Sequence, residues 1–136
     1  MQQENGDILQ KVRDFIRALE NRSSSNEFAK FYHPEVVQTE FPNTLTKNTT
    51  TRMLKDLEAA AVRGKQVLQK ERFDIVNSYV AGNMVIIEAI YTGVLAIPIG
   101  KLKPGDEMKA WFAQFYEFKD GKIFRQRNYD CFENFI

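Results

Sequence analysis

The spacing of apolar and polar residues changes period along the chain. Over residues 7–21 it is helical: Ile8, Val12, Phe15 and Leu19 fall at i, i+4, i+7 and i+11 and form one stripe. Ser23-Ser24-Ser25 breaks that helix. Ser24 and Glu27 fit a capping box, S-x-x-E, which predicts a short second helix with Phe28, Phe31 and Tyr32 on its apolar face and Pro34 at its end. HPEVVQTEFPN (33–43) then alternates like a half-buried strand, with Gln38 and Glu40 on one side and Val37, Thr39 and Phe41 on the other. After a polar connection, NTLTKNTT (43–50), a third helix is predicted from about Thr51 to Arg63, with Met53, Leu54, Leu57, Ala60 and Ala61 on its apolar side and Gly64 at its C-cap.

Beyond Gly64 the pattern is that of strands. Gln66–Val80 is long and closes on the turn Ala81-Gly82-Asn83. Met84–Ala96 is the most apolar segment and reads as a strand buried on both faces. Pro98, Gly100, Pro104 and Gly105 mark a loop, Asp106–Lys119 is a further strand, and Asp120-Gly121 is a strong hairpin turn before the last strand, Lys122–Phe132. Helices first and consecutive strands after predict an α+β fold. The expected architecture is a curved antiparallel sheet with the three helices of the N-terminal half packed on its concave face, a cone enclosing a pocket. In such a cone the inner faces of the first and last strands line the pocket. No internal repeat breaks the chain, so one domain spanning 1–136 is expected.

Composition narrows the chemistry. A hydrophobic fraction of 43% with 11 Phe is enough for a sizeable core. Lys plus Arg number 19 against 18 Asp plus Glu, and a net charge of +1 gives no field to draw in nucleic acid or an anionic membrane. The single Cys131 excludes an intramolecular disulfide and a Cys-based metal cluster, and the single His33 excludes a multi-His metal site. The opening MQQENGD carries no apolar leader core, and no run of residues approaches membrane-spanning length. The expectation is a soluble, reduced, cytoplasmic domain.

Three stretches carry a family resemblance. FYHPEVVQTEFP (31–42), VIIEAIYTGVL (85–95) and FAQFYEFKDGKIFRQRNYD (112–130) stand in the order seen in the SnoaL-like group of the nuclear transport factor 2-like superfamily, the ketosteroid isomerase and polyketide cyclase-like fold. The likeness covers about residues 7–135 and is specific for fold. The fold hosts isomerases, cyclases, hydrolases, dehydratases and non-catalytic binding proteins, so it fixes no activity. Glu40 falls where ketosteroid isomerase-like members carry a general-base carboxylate. Asn128 falls where polyketide cyclases and limonene epoxide hydrolase-like members carry a catalytic Asp, and an Asn cannot act as acid or base. The middle strand reads Glu88-Ala89-Ile90-Tyr91, without the Arg and Asp two apart that the epoxide hydrolase pattern requires.

Each candidate has a functional and a plain structural reading. Glu40 is either a desolvated carboxylate poised to take a proton alpha to a carbonyl or a strand-end carboxylate capping a backbone N–H or pairing with a Lys. Gln38 either donates to a substrate oxygen or satisfies a buried backbone group. Asn128 shares parity with Phe124, Gln126 and Asp130, which puts Ile123, Arg125, Arg127 and Tyr129 on the outer face, the arginines either at a dimer interface or solvated. Glu88, in the most apolar strand, must be protonated, paired or lining the cavity. Tyr32, Tyr91, Trp111 and Tyr116 either offer hydroxyl and indole donors to a bound carbonyl or are core, and Gln114 joins them as a ligand-binding candidate. His33 is either an acid or base at the mouth of the cone or a helix C-terminal cap. Cys131 reads as a small buried hydrophobe. Two functions follow. One is a cofactor-independent, metal-free enzyme of isomerase or cyclase type, with Glu40 shuttling a proton on a small apolar carbonyl compound and Gln38, Asn128 and one Tyr holding the enolate oxygen. The other is a non-catalytic ligand-binding or dimerisation module. A homodimer through the sheet is expected in either case.

Overall fold

The computed structural model describes residues 2–22 and 25–136, with side-chain detail from Asp7 onward save for residues 23–25. Ser24, and with it the expected capping box to Glu27, lies outside the described residues. The elements run α1 (Gln2–Glu20), α2 (Ser25–Ala29), β1 (Tyr32–Glu40), β2 (Thr50–Arg52), α3 (Leu54–Val67), β3 (Leu68–Ala81), β4 (Met84–Leu95), β5 (Glu107–Lys119) and β6 (Lys122–Phe132). One six-stranded curved sheet has the order β2-β1-β6-β5-β4-β3. The helices of the N-terminal half pack on one of its faces.

The α1 stripe does what its period implies. Ile8, Val12, Phe15 and Ile16 are buried against Val85, Ile87, Tyr116 and Ile123 of the sheet. Each such burial stabilises the fold by roughly 1.5–3 kcal/mol, which holds α1 across the strands. Phe15 is the hub, meeting Phe28, Phe31, Tyr32 and Tyr116 edge-to-face at 5.5–6.2 Å between centroids. A second core gathers Leu68, Ala89, Tyr91, Leu95, Met108, Ala110, Phe112 and Phe135 toward the other end of the long strands.

Several boundaries differ from the sequence reading. Pro34 lies inside β1, and Tyr32 belongs to that strand rather than to the second helix, which ends at Ala29. The residues expected to open the third helix form β2 instead, paired antiparallel with β1 through Gln38–Arg52, Thr39–Thr51 and Glu40–Thr50. The β-branched Thr49-Thr50-Thr51 run prefers this extended state. The helix then starts at Leu54, with the Asp56 carboxylate accepting from the Met53 N–H at 2.9 Å. Gly64 is not a cap: α3 continues to Val67, and the Gly64 carbonyl accepts from the Leu68 N–H.

The β3–β4, β4–β5 and β5–β6 pairs are antiparallel, as the turns imply, and Asp120 and Gly121 both have positive φ (54° and 74°), as a tight hairpin turn needs. The β1–β6 pair is parallel, because β1 arrives from the helices and not from a hairpin. β4 alternates buried and half-buried positions, so only one of its faces is core. A β-bulge between β5 and β6 shifts the register at Phe118 and puts an extra residue in β6. Ile123 and Gln126 therefore both face inward, against the strict parity expected for the strand. Cys131 is exposed, not buried, because it sits on the outer face of β6 near the strand's end. Among the described residues no helix is long and apolar enough to cross a membrane.

Candidate functional site

A cavity of about 420 Å³ opens between the helices and the concave face of the sheet. Its walls are largely apolar, with Phe15, Phe28, Leu57, Phe73, Met108, Phe112 and Phe132 among them. Arg22, Lys65 and Glu71 also line it, but the main cluster of polar groups comes from β1, β2, β5 and β6, and the strand registers explain why. Gln38 stands level with Arg52 on β2 and with Gln126 on β6, and Gln126 with Tyr116 on β5. One pleat further, Glu40 stands level with Asn128, and Asn128 with Gln114. Two adjacent rows of polar side chains thus cross the floor of the cavity.

Glu40 faces inward, as its parity with Gln38 implies. Its two oxygens are held: Arg52 Nη1 donates to Oε1 at 2.8 Å, and Asn43 Nδ2 and Thr46 Oγ1 donate to Oε2 at 2.8 and 3.1 Å. Arg52 also donates to Gln38 Oε1 at 3.2 Å. The Glu40–Arg52 pair is only 14% and 19% exposed, so each charge depends on the other for compensation. This is the geometry of a fixed ion pair.

Of the expected site residues, Tyr32, Gln38, Glu40, Gln114, Tyr116 and Asn128 all line the cavity. Tyr116 donates to Gln114 Oε1 at 2.6 Å, and Gln126 Nε2 donates to Asn128 Oδ1 at 2.9 Å. Burial raises the Tyr32 and Tyr116 phenols above the ordinary tyrosine range, so both stay protonated donors. Glu88 and Trp111 do not join them. Glu88 lies exposed on the outer face of the sheet and accepts from Asn77 Nδ2 at 3.1 Å. Trp111, 46% exposed on that same face, lies under the Lys109 ammonium. Both sit at the outward positions of strands whose alternate residues, Ala89, Tyr91, Ala110 and Phe112, form the core. His33 is buried away from the cavity, its Nδ1 accepting from the Glu35 N–H at 3.0 Å and its ring against Phe124. Arg127 pairs with Glu117 on the outer face, and Arg125 donates to the Glu35 and Phe124 carbonyls.

Two carboxylates that the sequence reading left aside matter more. Asp130 follows Asn128 by one pleat, between Asn128 and Phe132, which both line the cavity, and it accepts from Gln114 Nε2 at 3.4 Å. Burial raises its carboxyl from 3.8 to about 7; the Glu40 charge adds to this, and Gln114 and Arg52 oppose it. Its parity with Asn128 was the signal available in the sequence. Glu71, on β3 toward the far side of the cavity, is also raised by burial, with Tyr91 and Arg22 pulling the other way and Glu20 adding to the rise. Its signal was alternation with Phe73 and Ile75, which face the core. Arg52 was hidden because its segment was assigned to a helix. Among the described residues no three His, Cys, Asp or Glu side chains come together as metal ligands.

The comparisons with known proteins agree with this architecture. A family model described as the SnoaL-like domain matches residues 12–126, and the chain belongs to that family. Solved structures share the fold at low identity. AclR from Streptomyces galilaeus superposes with a TM-score of 0.75 at 12% identity, over 93% of this chain and 76% of that one. A SnoaL-like polyketide cyclase from Agrobacterium tumefaciens gives 0.66 at 13%, over 88% and 87%. An LEH-like epoxide hydrolase from M. tuberculosis gives 0.69 at 19%, over 96% and 85%. No curated protein matches the chain.

Proposed function

We propose that this SnoaL-like protein binds a small, mostly apolar carbonyl compound in its cavity and carries out acid–base chemistry of isomerase or cyclase type on it. The observation that carries the reading is Asp130, a carboxyl raised to about 7 that accepts one weak hydrogen bond from Gln114, a residue lining the cavity. A base works best when its pKa lies near the working pH. Asp130, rather than the ion-paired Glu40, then takes the proton alpha to the substrate carbonyl and returns it to another carbon. The Glu40–Arg52 pair sets the field around it. The amide groups of Asn128 and Gln38 hold the oxygen on which negative charge develops. The polyketide cyclase and epoxide hydrolase among the structural neighbours support the fold's aptness for such chemistry.

The test is a screen of enolisable ketones and lactones for proton exchange and isomerisation, repeated with Asp130→Asn and Glu40→Gln. Asp130→Asn is expected to lower turnover by roughly 10²–10⁴-fold, the share one placed base supplies. Wild-type turnover is expected to rise with pH through about 7. Turnover that survives Asp130→Asn unchanged rules out this scheme.

The second reading is a non-catalytic ligand-binding or dimerisation module, and the outer sheet face favours it. Trp111 and Tyr129 are 46% and 42% exposed there, and Phe41 stacks on Tyr129 at 4.6 Å. Exposed aromatic rings set among charged residues on a sheet face suit a homodimer. Light scattering on Tyr129→Glu with Trp111→Glu is expected to convert a dimer to a monomer; a wild-type protein that is monomeric at high micromolar concentration removes the dimer proposal.

A further inference from the structure

The connection between β1 and β2 borders the cavity at Glu40. Its residues 43–49, NTLTKNT, carry one large apolar side chain, Leu45, among polar neighbours. Leu45 is 42% exposed yet lines the cavity together with Thr46, so it stands at the rim, one side to water and one to the interior. The segment around it is closed on itself. Asn43 Oδ1 accepts from the Leu45 and Thr46 N–H groups at 2.9 and 3.0 Å, and the Thr46 carbonyl accepts from the Asn43 N–H at 2.8 Å. Two further side-chain bonds tie this unit to one carboxylate: Glu40 Oε2 accepts from Asn43 Nδ2 at 2.8 Å and from Thr46 Oγ1 at 3.1 Å. Arg52 holds the other Glu40 oxygen, so the carboxylate is fixed where the segment meets it. The backbone is anchored on both sides. The Phe41 N–H donates to the Asn128 carbonyl at 3.1 Å, and β2 begins at Thr50, level with Glu40.

We propose that residues 43–46 form a lid at this rim, with Leu45 as its closing side chain and the Glu40 carboxylate as its latch. Asn43 and Thr46 are positioning residues that act through Glu40. The bonds inside the segment stay made when it swings, so it moves as one piece between its anchors, and opening breaks the two bonds to Glu40. Hydrogen bonds to an ionised oxygen are stronger than neutral ones, so the closed state dominates and a ligand crosses while the lid is briefly open. Glu40 thereby has a task that uses its charge and moves no proton. The proposal rests on the reading that the cavity takes a small molecule and is independent of the chemistry assigned to Asp130.

The experiment follows a neutral fluorescent probe, N-phenyl-1-naphthylamine, entering and leaving the full chain by stopped flow. The variants are Asn43→Asp, Thr46→Val and Leu45→Ala. Asn43→Asp keeps the acceptor that closes the turn but sets a second carboxylate against Glu40 in place of a donor. Thr46→Val keeps the shape and removes the hydroxyl. Both should raise the association and dissociation rates together, about tenfold for Asn43→Asp and about threefold for Thr46→Val, with Kd kept within about twofold. Leu45→Ala should speed entry with the latch untouched. A side chain that only walls the cavity changes dissociation and affinity and leaves association alone. Methyl relaxation dispersion at Leu45 reads the lid with no ligand present, and the open population should rise at least about tenfold in Asn43→Asp. Association rates that both latch variants leave unchanged, or a Leu45 dispersion that Asn43→Asp does not alter, overturn the lid and leave the cavity and Asp130 standing. Lid-controlled probe entry with turnover indifferent to Asp130→Asn supports the lid and overturns the catalytic reading alone. Failure of the probe to enter both the wild type and Leu45→Ala overturns the lid together with the cavity reading beneath it.

Discussion

Replacing Asp130 by Asn removes a charge that the folded state holds at a disadvantage, and the effect on stability must depend on pH in a defined direction. The carboxyl is raised from 3.8 to about 7, first by burial and then by Glu40. Well below pH 3.8 the group is protonated whether the chain is folded or not, and it contributes no difference. Between pH 4 and 7 the folded state binds more protons than the unfolded one, so wild-type stability falls as pH rises. Above pH 7 the ionised group costs the folded state between about 2 and 4 kcal/mol, the lower figure allowing for solvent screening of a side chain that is not fully enclosed. Asparagine has nearly the shape of the neutral acid and no charge to bury. Urea denaturation of the two proteins at pH 3.5, 5.5 and 8 measures the difference. The two are expected to coincide within error at pH 3.5, and Asp130→Asn is expected to be the more stable by about 2–4 kcal/mol at pH 8. A difference that is constant across pH, or a variant that is less stable at pH 8, refutes the account of Asp130 as a carboxyl held out of water.

Other perturbations follow from the same geometry. Because the Glu40 charge raises Asp130 and the Arg52 charge lowers it, Glu40→Gln should move the Asp130 midpoint down and Arg52→Met should move it up; opposite directions in an NMR titration show that the coupling is misplaced. Arg52→Met also strands the Glu40 carboxylate, 14% exposed, and should destabilise the chain at pH 7 by roughly 2–4 kcal/mol in denaturant, with partial recovery when Glu40→Gln is added. Gly93→Ala would place a methyl 2.9 Å from the Tyr91 hydroxyl and 3.0 Å from Leu68 Cδ2. Tyr91 is stacked on Phe112 at 4.7 Å and has little room to retreat, so a loss of about 1–3 kcal/mol is expected, and an unchanged melt would mean the ring is free to move.

The fold was legible in the sequence wherever period and turn chemistry agreed. The α1 stripe and the Asp120-Gly121 hairpin are of that kind, and the order of elements placed the helices ahead of the sheet. Boundaries failed where a local preference was overruled by pairing. Thr50–Arg52 looks like a polar lead into a helix, yet β1 offers it a strand edge, and the extended state wins. That one reassignment hid Arg52, since a residue counted within a helix is not sought across a strand from Gln38. Parity failed at the β6 bulge, where an added residue turns both Ile123 and Gln126 inward. Glu88 and Trp111 were drawn into the site by the apolar character of their strands. Alternation alone places them outside, because β4 and β5 are covered by helices on one face only. Asp130 was within reach, sharing the parity of Asn128, but the motif drew attention to the position where the acid was missing and away from the acid one pleat on. The raised carboxyl itself depends on burial and on Glu40, and neither is visible in one dimension.

The most direct measurement of the central claim is the titration of the Asp130 side-chain carboxyl by carbon-detected NMR, with Asp130→Asn to assign the resonance. A midpoint of about 7 is the predicted result and describes a base held ready near neutral pH. A midpoint near the ordinary aspartate value of about 3.9 contradicts the claim and leaves the cavity as a binding site without a poised acid–base group.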